Sequence, residues 1–167
     1  MEILFENTYT RNKALAKEIY RYFYFQRKIL IVLYVLLGLS FLANIAQLIF
    51  SDTYNLGVLV CVPFFFCFQA VSYFRQVATL VKRDIEVHGK EITVDTVVTD
   101  TYIQNNASTG SVNKVEYHNI RYAVQTKNCI LLQSKANQIY IFHKDTFTVG
   151  SKEAFLQFLR SKNIKIK

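Results

Sequence analysis

Two stretches free of charged side chains, Ile29–Phe50 and Thr53–Phe74, follow one another with only Ser51 and Asp52 between them. That arrangement restricts the possible folds more than any other feature of the chain. At about 1.5 Å of rise per residue, roughly 20 apolar residues in a helix cover a hydrocarbon layer about 30 Å thick. Two such helices joined by so short a connection form a hairpin that returns the chain to the side it left. The expected architecture is a membrane α-helical hairpin, with a soluble part built from the residues beyond Phe74.

Charge orients this hairpin. Arg11, Lys13, Lys17, Arg21, Arg27 and Lys28 precede the first stretch, and Arg75, Lys82 and Arg83 follow the second, whereas Ser51–Asn55 has neither Lys nor Arg. Lys and Arg collect on cytoplasmic flanks. Both termini are therefore expected in the cytoplasm, with Asp52 outside. The first apolar run is too long for the core of a cleaved leader, and Ala43-Asn44-Ile45-Ala46 does not present the usual small-x-small cleavage pattern. Near an anionic leaflet each basic side chain is worth about 1 kcal/mol. Arg21, Arg27, Lys28, Arg75, Lys82 and Arg83 are accordingly the candidate membrane-surface contacts, with anionic lipid headgroups as possible partners.

Polar and small residues within the apolar stretches mark the expected packing face. Ser40, Ala43, Asn44 and Gln47 lie on neighbouring faces of the first helix, where small and amide side chains permit close approach and interhelical hydrogen bonds. In the second helix Pro63 removes a backbone donor and predicts a kink near Leu59. Gln69 falls at about the depth of Tyr34 in an antiparallel hairpin, which makes the Tyr34 hydroxyl its expected partner. Upstream, Thr8 or Thr10 is placed to cap a helix starting near Arg11. The aromatic cluster Tyr20, Tyr22, Phe23, Tyr24 and Phe25 suits the headgroup level. Residues 1–28 are thus expected to hold a short strand and an amphipathic interfacial helix, 29–74 the hairpin, and 86–167 a cytosolic domain.

That last segment reads as strands. Ile92, Val94, Thr96 and Val98 alternate with Thr93, Asp95, Val97 and Thr99, the period-two pattern of a half-buried strand. Further strands are expected at Thr101–Asn105, Ser111–Tyr117, Ile120–Gln125, Cys129–Leu132 and Gln138–Phe142, separated by turn-rich segments. Ser151 should cap a final helix with an apolar stripe of Phe155, Phe158 and Leu159, followed by a basic tail, Lys162–Lys167.

Catalytic and ligand-holding patterns are sparse. His88, His118 and His143 are scattered, Cys61, Cys67 and Cys129 lack metal-site or disulfide spacing, and no nucleophile elbow or phosphate-binding glycine loop occurs. No enzyme activity, cofactor or metal is expected. The net charge of +8 does not point to nucleic acid, because Lys114, Arg121, Lys127, Lys135 and Lys144 are interspersed with acids and form no basic aromatic stripe. Neither apolar stretch has the ionisable group that usually marks a transport path. Asn44, Gln47 and Gln69 would line a pore only in an oligomer.

The order of elements resembles the YcxB-like family of small bacterial membrane proteins. Three stretches carry the likeness: Phe5-Glu6-Asn7-Thr8-Tyr9-Thr10, Gly110–Ile120 with Val115-Glu116-Tyr117-His118-Asn119-Ile120, and Ile139–Leu159 with Ile141-Phe142-His143-Lys144-Asp145-Thr146-Phe147. The resemblance implies an α+β domain like bacterial pleckstrin-homology (PH) domains, a bent antiparallel sheet capped by a C-terminal helix, at a bacterial cell membrane. It brings no catalytic motif. If that sheet needs another edge strand, Met1–Asn7 is placed to supply it. The expected role is binding at the cytoplasmic face, to a protein partner, a second copy or lipid headgroups. Protection against membrane-active peptides and a small oligomeric channel are the alternatives.

Overall fold

The computed structural model describes residues 2–26, 28–51 and 54–167. It divides into two compact units, one formed by Met1–Asn12 with Val81–Lys167 and the other by Lys13–Leu80. The first unit is therefore assembled from both ends of the chain. Its boundaries depart from the grouping of 1–28 and 86–167 that the sequence suggests.

In this first unit β1 (Phe5–Thr10) is followed, after the whole second unit, by β2 (Thr93–Val98), β3 (Tyr102–Ala107) and β4 (Val112–Glu116). Then come β5 (Ile120–Gln125), β6 (Cys129–Ser134), β7 (Ile139–His143), β8 (Phe147–Val149) and a helix, α4 (Lys152–Ser161). The strands make a five-stranded antiparallel sheet in the order β4-β3-β2-β1-β8 and a three-stranded sheet β5-β6-β7. The unit is thus α+β, as the sequence reading expects. Strand β1 occupies an interior position, however, paired on one side with β2 and on the other with β8. The expectation of an edge strand is corrected in this respect. The reason is β8, whose three residues are too few to register as a strand in the sequence.

Thr8 and Thr10 consequently belong to β1 and cap no helix. Thr8 Oγ1 donates to Asp95 Oδ1 at 2.7 Å, and Thr10 faces Thr93. The core joins Phe5, Val98, Ile103 and Val115 from the larger sheet to Ile130, Leu132, Tyr140 and Phe142 from the smaller one. Helix α4 covers it with Phe155 and Leu159, both fully buried. Phe155 packs on Phe142 with ring centroids 4.4 Å apart and meets Phe5 edge-on at 5.4 Å. Ser151 caps α4 as expected, its hydroxyl accepting from the Ala154 N–H at 3.2 Å. The basic tail becomes structural: Ile166 bridges Ala123 in parallel beside β5, through Ala123 N–H to Lys165 O and Lys167 N–H to Ala123 O.

The second unit begins with α1 (Lys13–Arg21), which passes into a π-helical turn at Tyr22–Gln26. Two long helices follow, α2 (Lys28–Phe50) and α3 (Leu56–His88), the latter running on into the first unit. Both are long and apolar enough to cross a membrane, and almost none of their side chains are buried within the chain. The less exposed positions recur at intervals of three and four: Tyr34, Leu37, Gly38, Phe41, Asn44 and Ile45 in α2, and Leu59, Val62, Phe65, Gln69, Tyr73 and Val77 in α3. That spacing puts one seam on each helix.

Candidate functional site

Strand register determines where polar side chains sit on the inner face of the larger sheet. Successive strands pair Phe5 with Val98, Ile103 and Val115 in one row, and Tyr9 with Val94 and Ala107 in another. Between these two rows runs a polar one: Asn7, Thr96, Asn105 and Asn113. Because side chains alternate along a strand, all three rows face the interior. Burial falls along the polar row, from Asn7 and Thr96, both fully buried, through half-buried Asn105 to exposed Asn113.

Buried polar groups need partners, and the inner end of the row has them. The Asn7 amide donates to His143 O at 2.8 Å while its oxygen accepts from the His143 N–H at 3.0 Å. One side chain thereby imitates a strand partner and ties the larger sheet to the end of β7. Thr96 Oγ1 donates to Asn105 Oδ1 at 2.8 Å, which directs the Asn105 amide hydrogens outward along the row.

The outer end opens into a cavity of about 230 Å³. Apolar Val94, Ala107 and Ile139 line it together with Asn105, Ser111, Asn113, Gln138, Tyr140 and Arg11. Tyr140 donates its hydroxyl hydrogen to Gln138 Oε1 at 3.3 Å. Burial lifts the Tyr9 hydroxyl above its ordinary phenol value, and the charge and hydrogen bond of nearby Arg11 offset part of that rise. Arg11 is held at the sheet by its own backbone, whose N–H donates to Ile92 O at 2.8 Å. The cavity lies at the end of the sheet where the chain departs after Thr10 and re-enters at Thr93.

None of the candidate membrane-surface or intramembrane packing residues lines this cavity, whereas Arg11 of the basic flank and Val94 of the first alternating strand do. Arg21, Lys28, Arg75, Lys82 and Arg83 are all exposed, and Arg27 lies outside the described residues, as does Asp52. Lys82 pairs with Glu86 one turn on, at 3.3 Å. Within the second unit the expected Tyr34–Gln69 hydrogen bond is replaced by another. The Tyr34 hydroxyl donates to the carbonyl of Tyr24 in the π-helical turn at 2.8 Å, because a wide turn ending at Gln26 leaves its carbonyls without the usual helical partner. The Tyr34 ring does reach α3, against Phe65 and Phe66.

Asn44 joins the two helices. Its oxygen accepts from the Asn55 N–H at 2.9 Å, just ahead of α3, and its amide donates to Ser40 O. Gln47 and Pro63 lie on exposed helix surface instead of in a packed seam, and α3 continues through Pro63. The aromatic cluster faces inward in part: Phe25 and Tyr24 pack on Tyr73 at 5.4 and 6.2 Å, and the Gln76 amide donates to the Tyr24 hydroxyl. Cys61 and Cys67 are exposed free thiols and Cys129 is buried. Among the described residues no three His, Cys, Asp or Glu side chains gather as metal ligands would.

Fold and cavity together define an α+β unit with a polar pocket, interrupted after its first strand by a pair of long apolar helices. Residues 98–159 match the model of a family described as YcxB-like protein, which bears out the resemblance over the segment from the end of β2 to Leu159 of α4. Strand β1 and the apolar helices lie outside that match. No curated protein matches the chain.

Proposed function

We propose that the chain is a non-enzymatic integral membrane protein that holds a PH-like binding module at the cytoplasmic face of a bacterial membrane. The observation that carries this reading is the register of β1 with β2. Thr10 and Thr93 are cross-strand partners, so the inserted segment leaves and re-enters the sheet at one place. An insertion tethered in this way crosses a bilayer an even number of times, and α2 and α3 supply two crossings. The side-chain exposure of these helices supports the same reading: Ile29 is 77% exposed, Phe50 85% and Phe64 71%. Leaving such side chains in water forgoes about 1.5–3 kcal/mol for each, a cost that lipid removes. Lys and Arg on the outer flanks of the pair favour the cytoplasmic side for both ends. Two antiparallel sheets around one core, closed by α4, support the PH-like description.

Cysteine labelling tests the arrangement. With Cys61 and Cys67 replaced by Ser, Asn55→Cys is expected to react with a membrane-impermeant maleimide on intact cells, and Lys167→Cys only after permeabilisation. Labelling of Lys167→Cys on intact cells, or recovery of the chain in the soluble fraction, overturns the reading.

A further inference from the structure

We infer that the cavity is an anion site for a phosphate ester carrying free hydroxyl groups, the chemistry shared by a phosphoglycerol lipid headgroup and a soluble polyol phosphate. The inference deepens the membrane-anchored binding reading and rests on it for the lipid source, though not for the ligand chemistry.

The balance of donors and acceptors points to an anion. Asn105 and Gln138 each have their oxygen occupied, by Thr96 and Tyr140 respectively. Each keeps its amide hydrogens for donation. Arg11 adds the single formal charge, and no carboxylate lines the space. The nearest acid in β2, Asp95, is sent to the opposite face by strand alternation, where it accepts from Thr8. None of the ion pairs among the described residues involves Arg11.

Arg11, two amide side chains and the Ser111 hydroxyl, lining one space, supply donors for the non-bridging oxygens of a phosphate diester. One fixed positive charge matches the single negative charge of a diester. Asn113 and the remaining lone pairs on Tyr140 can serve the hydroxyls. At about 230 Å³ the cavity is smaller than the roughly 300–1,000 Å³ of pockets for drug-sized ligands, which favours a headgroup-sized fragment over a nucleotide or peptide. It lies at the end of the sheet where the chain departs after Thr10 and re-enters at Thr93.

The test uses the full chain in nanodiscs of zwitterionic phosphatidylcholine, titrated calorimetrically with glycerophosphoglycerol, the deacylated headgroup. Saturable one-site binding is expected. Arg11→Gln and Asn113→Asp should each weaken it about tenfold or more, and Asn113→Lys should strengthen it. Asn113 is exposed, so its two variants keep the fold and test the sign of the charge effect independently of Arg11. Repeating the titration in discs containing phosphatidylglycerol identifies the source. A weaker apparent affinity marks the lipid as occupant, and an unchanged one marks the soluble ester. No saturable binding in phosphatidylcholine discs, or equal affinity in the Asp and Lys variants, overturns the inference. A chain that stays soluble without discs sinks the membrane reading alone, since the same titration can then be run in solution.

Discussion

Asn7 shows how much a single buried amide can hold. It is fully buried and satisfies both backbone groups of His143, more than a hundred residues away. Asn7→Ala should lower the stability of the first unit by about 1–3 kcal/mol, read from denaturant unfolding, because it leaves the His143 N–H without its partner while His143 O keeps only Thr146. In the sequence this residue is one polar side chain in an alternating strand, with nothing to separate it from a solvent-facing one. Thr96 is hidden in the same way among Val94 and Val98. Gly150 carries a second constraint. It has φ +78°, and a Cβ there would stand 2.4 Å from Phe5 Cδ1. Gly150→Ala should cost about 2–4 kcal/mol, whereas Gly110→Ala, at φ +85° but with open space around it, should cost only about 1 kcal/mol.

Tyr117 links stability to pH. Its hydroxyl donates to Thr99 O at 2.5 Å, and burial, reinforced by the charge of Asp100, raises it well above the ordinary phenol value. The folded state then holds this proton more tightly than the unfolded chain does. The contribution is intact below the unfolded value near pH 10 and declines as pH rises beyond it. Tyr117→Phe should flatten the loss of stability between about pH 10 and 11.5 in urea titrations, against a constant cost of about 1 kcal/mol from the missing hydrogen bond.

Among the elements, legibility followed period and length. The sequence pattern marks β5 at its observed bounds, and β2, β3, β4, β6 and β7 within two residues at each end, because alternation and turn residues act locally. The capping of α4 by Ser151 was legible for the same reason. Strand β8 was not, since three residues show no period. The π-helical turn was not legible either. Tyr22–Gln26 has the composition of an ordinary aromatic helix, with no residue that marks a widened turn. Asn44 was recognised as a packing residue, but its partner is the backbone of Asn55, which no side-chain pattern announces. Asn44→Leu should lower the stability of the helix pair by about 1–2 kcal/mol in detergent titrations, while Gln47→Leu, on exposed surface, should change it by less than about 0.5 kcal/mol.

For the molecule as a whole, the decisive feature is that one folded unit contains the first strand and the segment Val81–Lys167, with the apolar pair set into a hairpin connection. A fragment beginning at residue 86 therefore lacks an interior strand and should not fold alone. Joining Asn12 to Glu91 through a short Gly-Ser linker should yield a soluble, cooperatively melting protein, since Arg11 N–H and Ile92 O already lie within hydrogen-bond distance. Circular dichroism melts of the two forms decide the matter. A fragment 86–167 that melts as sharply as the fusion would show β1 to be dispensable. The cavity was beyond sequence reading for the same reason, because Arg11 and Gln138 meet only once β1 has been drawn into a sheet whose other members come much later.

That interleaving also sets an order of events during synthesis. Thr10 emerges from the ribosome 83 residues before its partner Thr93, an interval of about 4–17 s at typical elongation rates. Throughout it the first strand is a naked ribbon with nothing to zip against. Both greasy helices have been made before the sheet can close, so completion of the sheet reports that the whole insert has been translated.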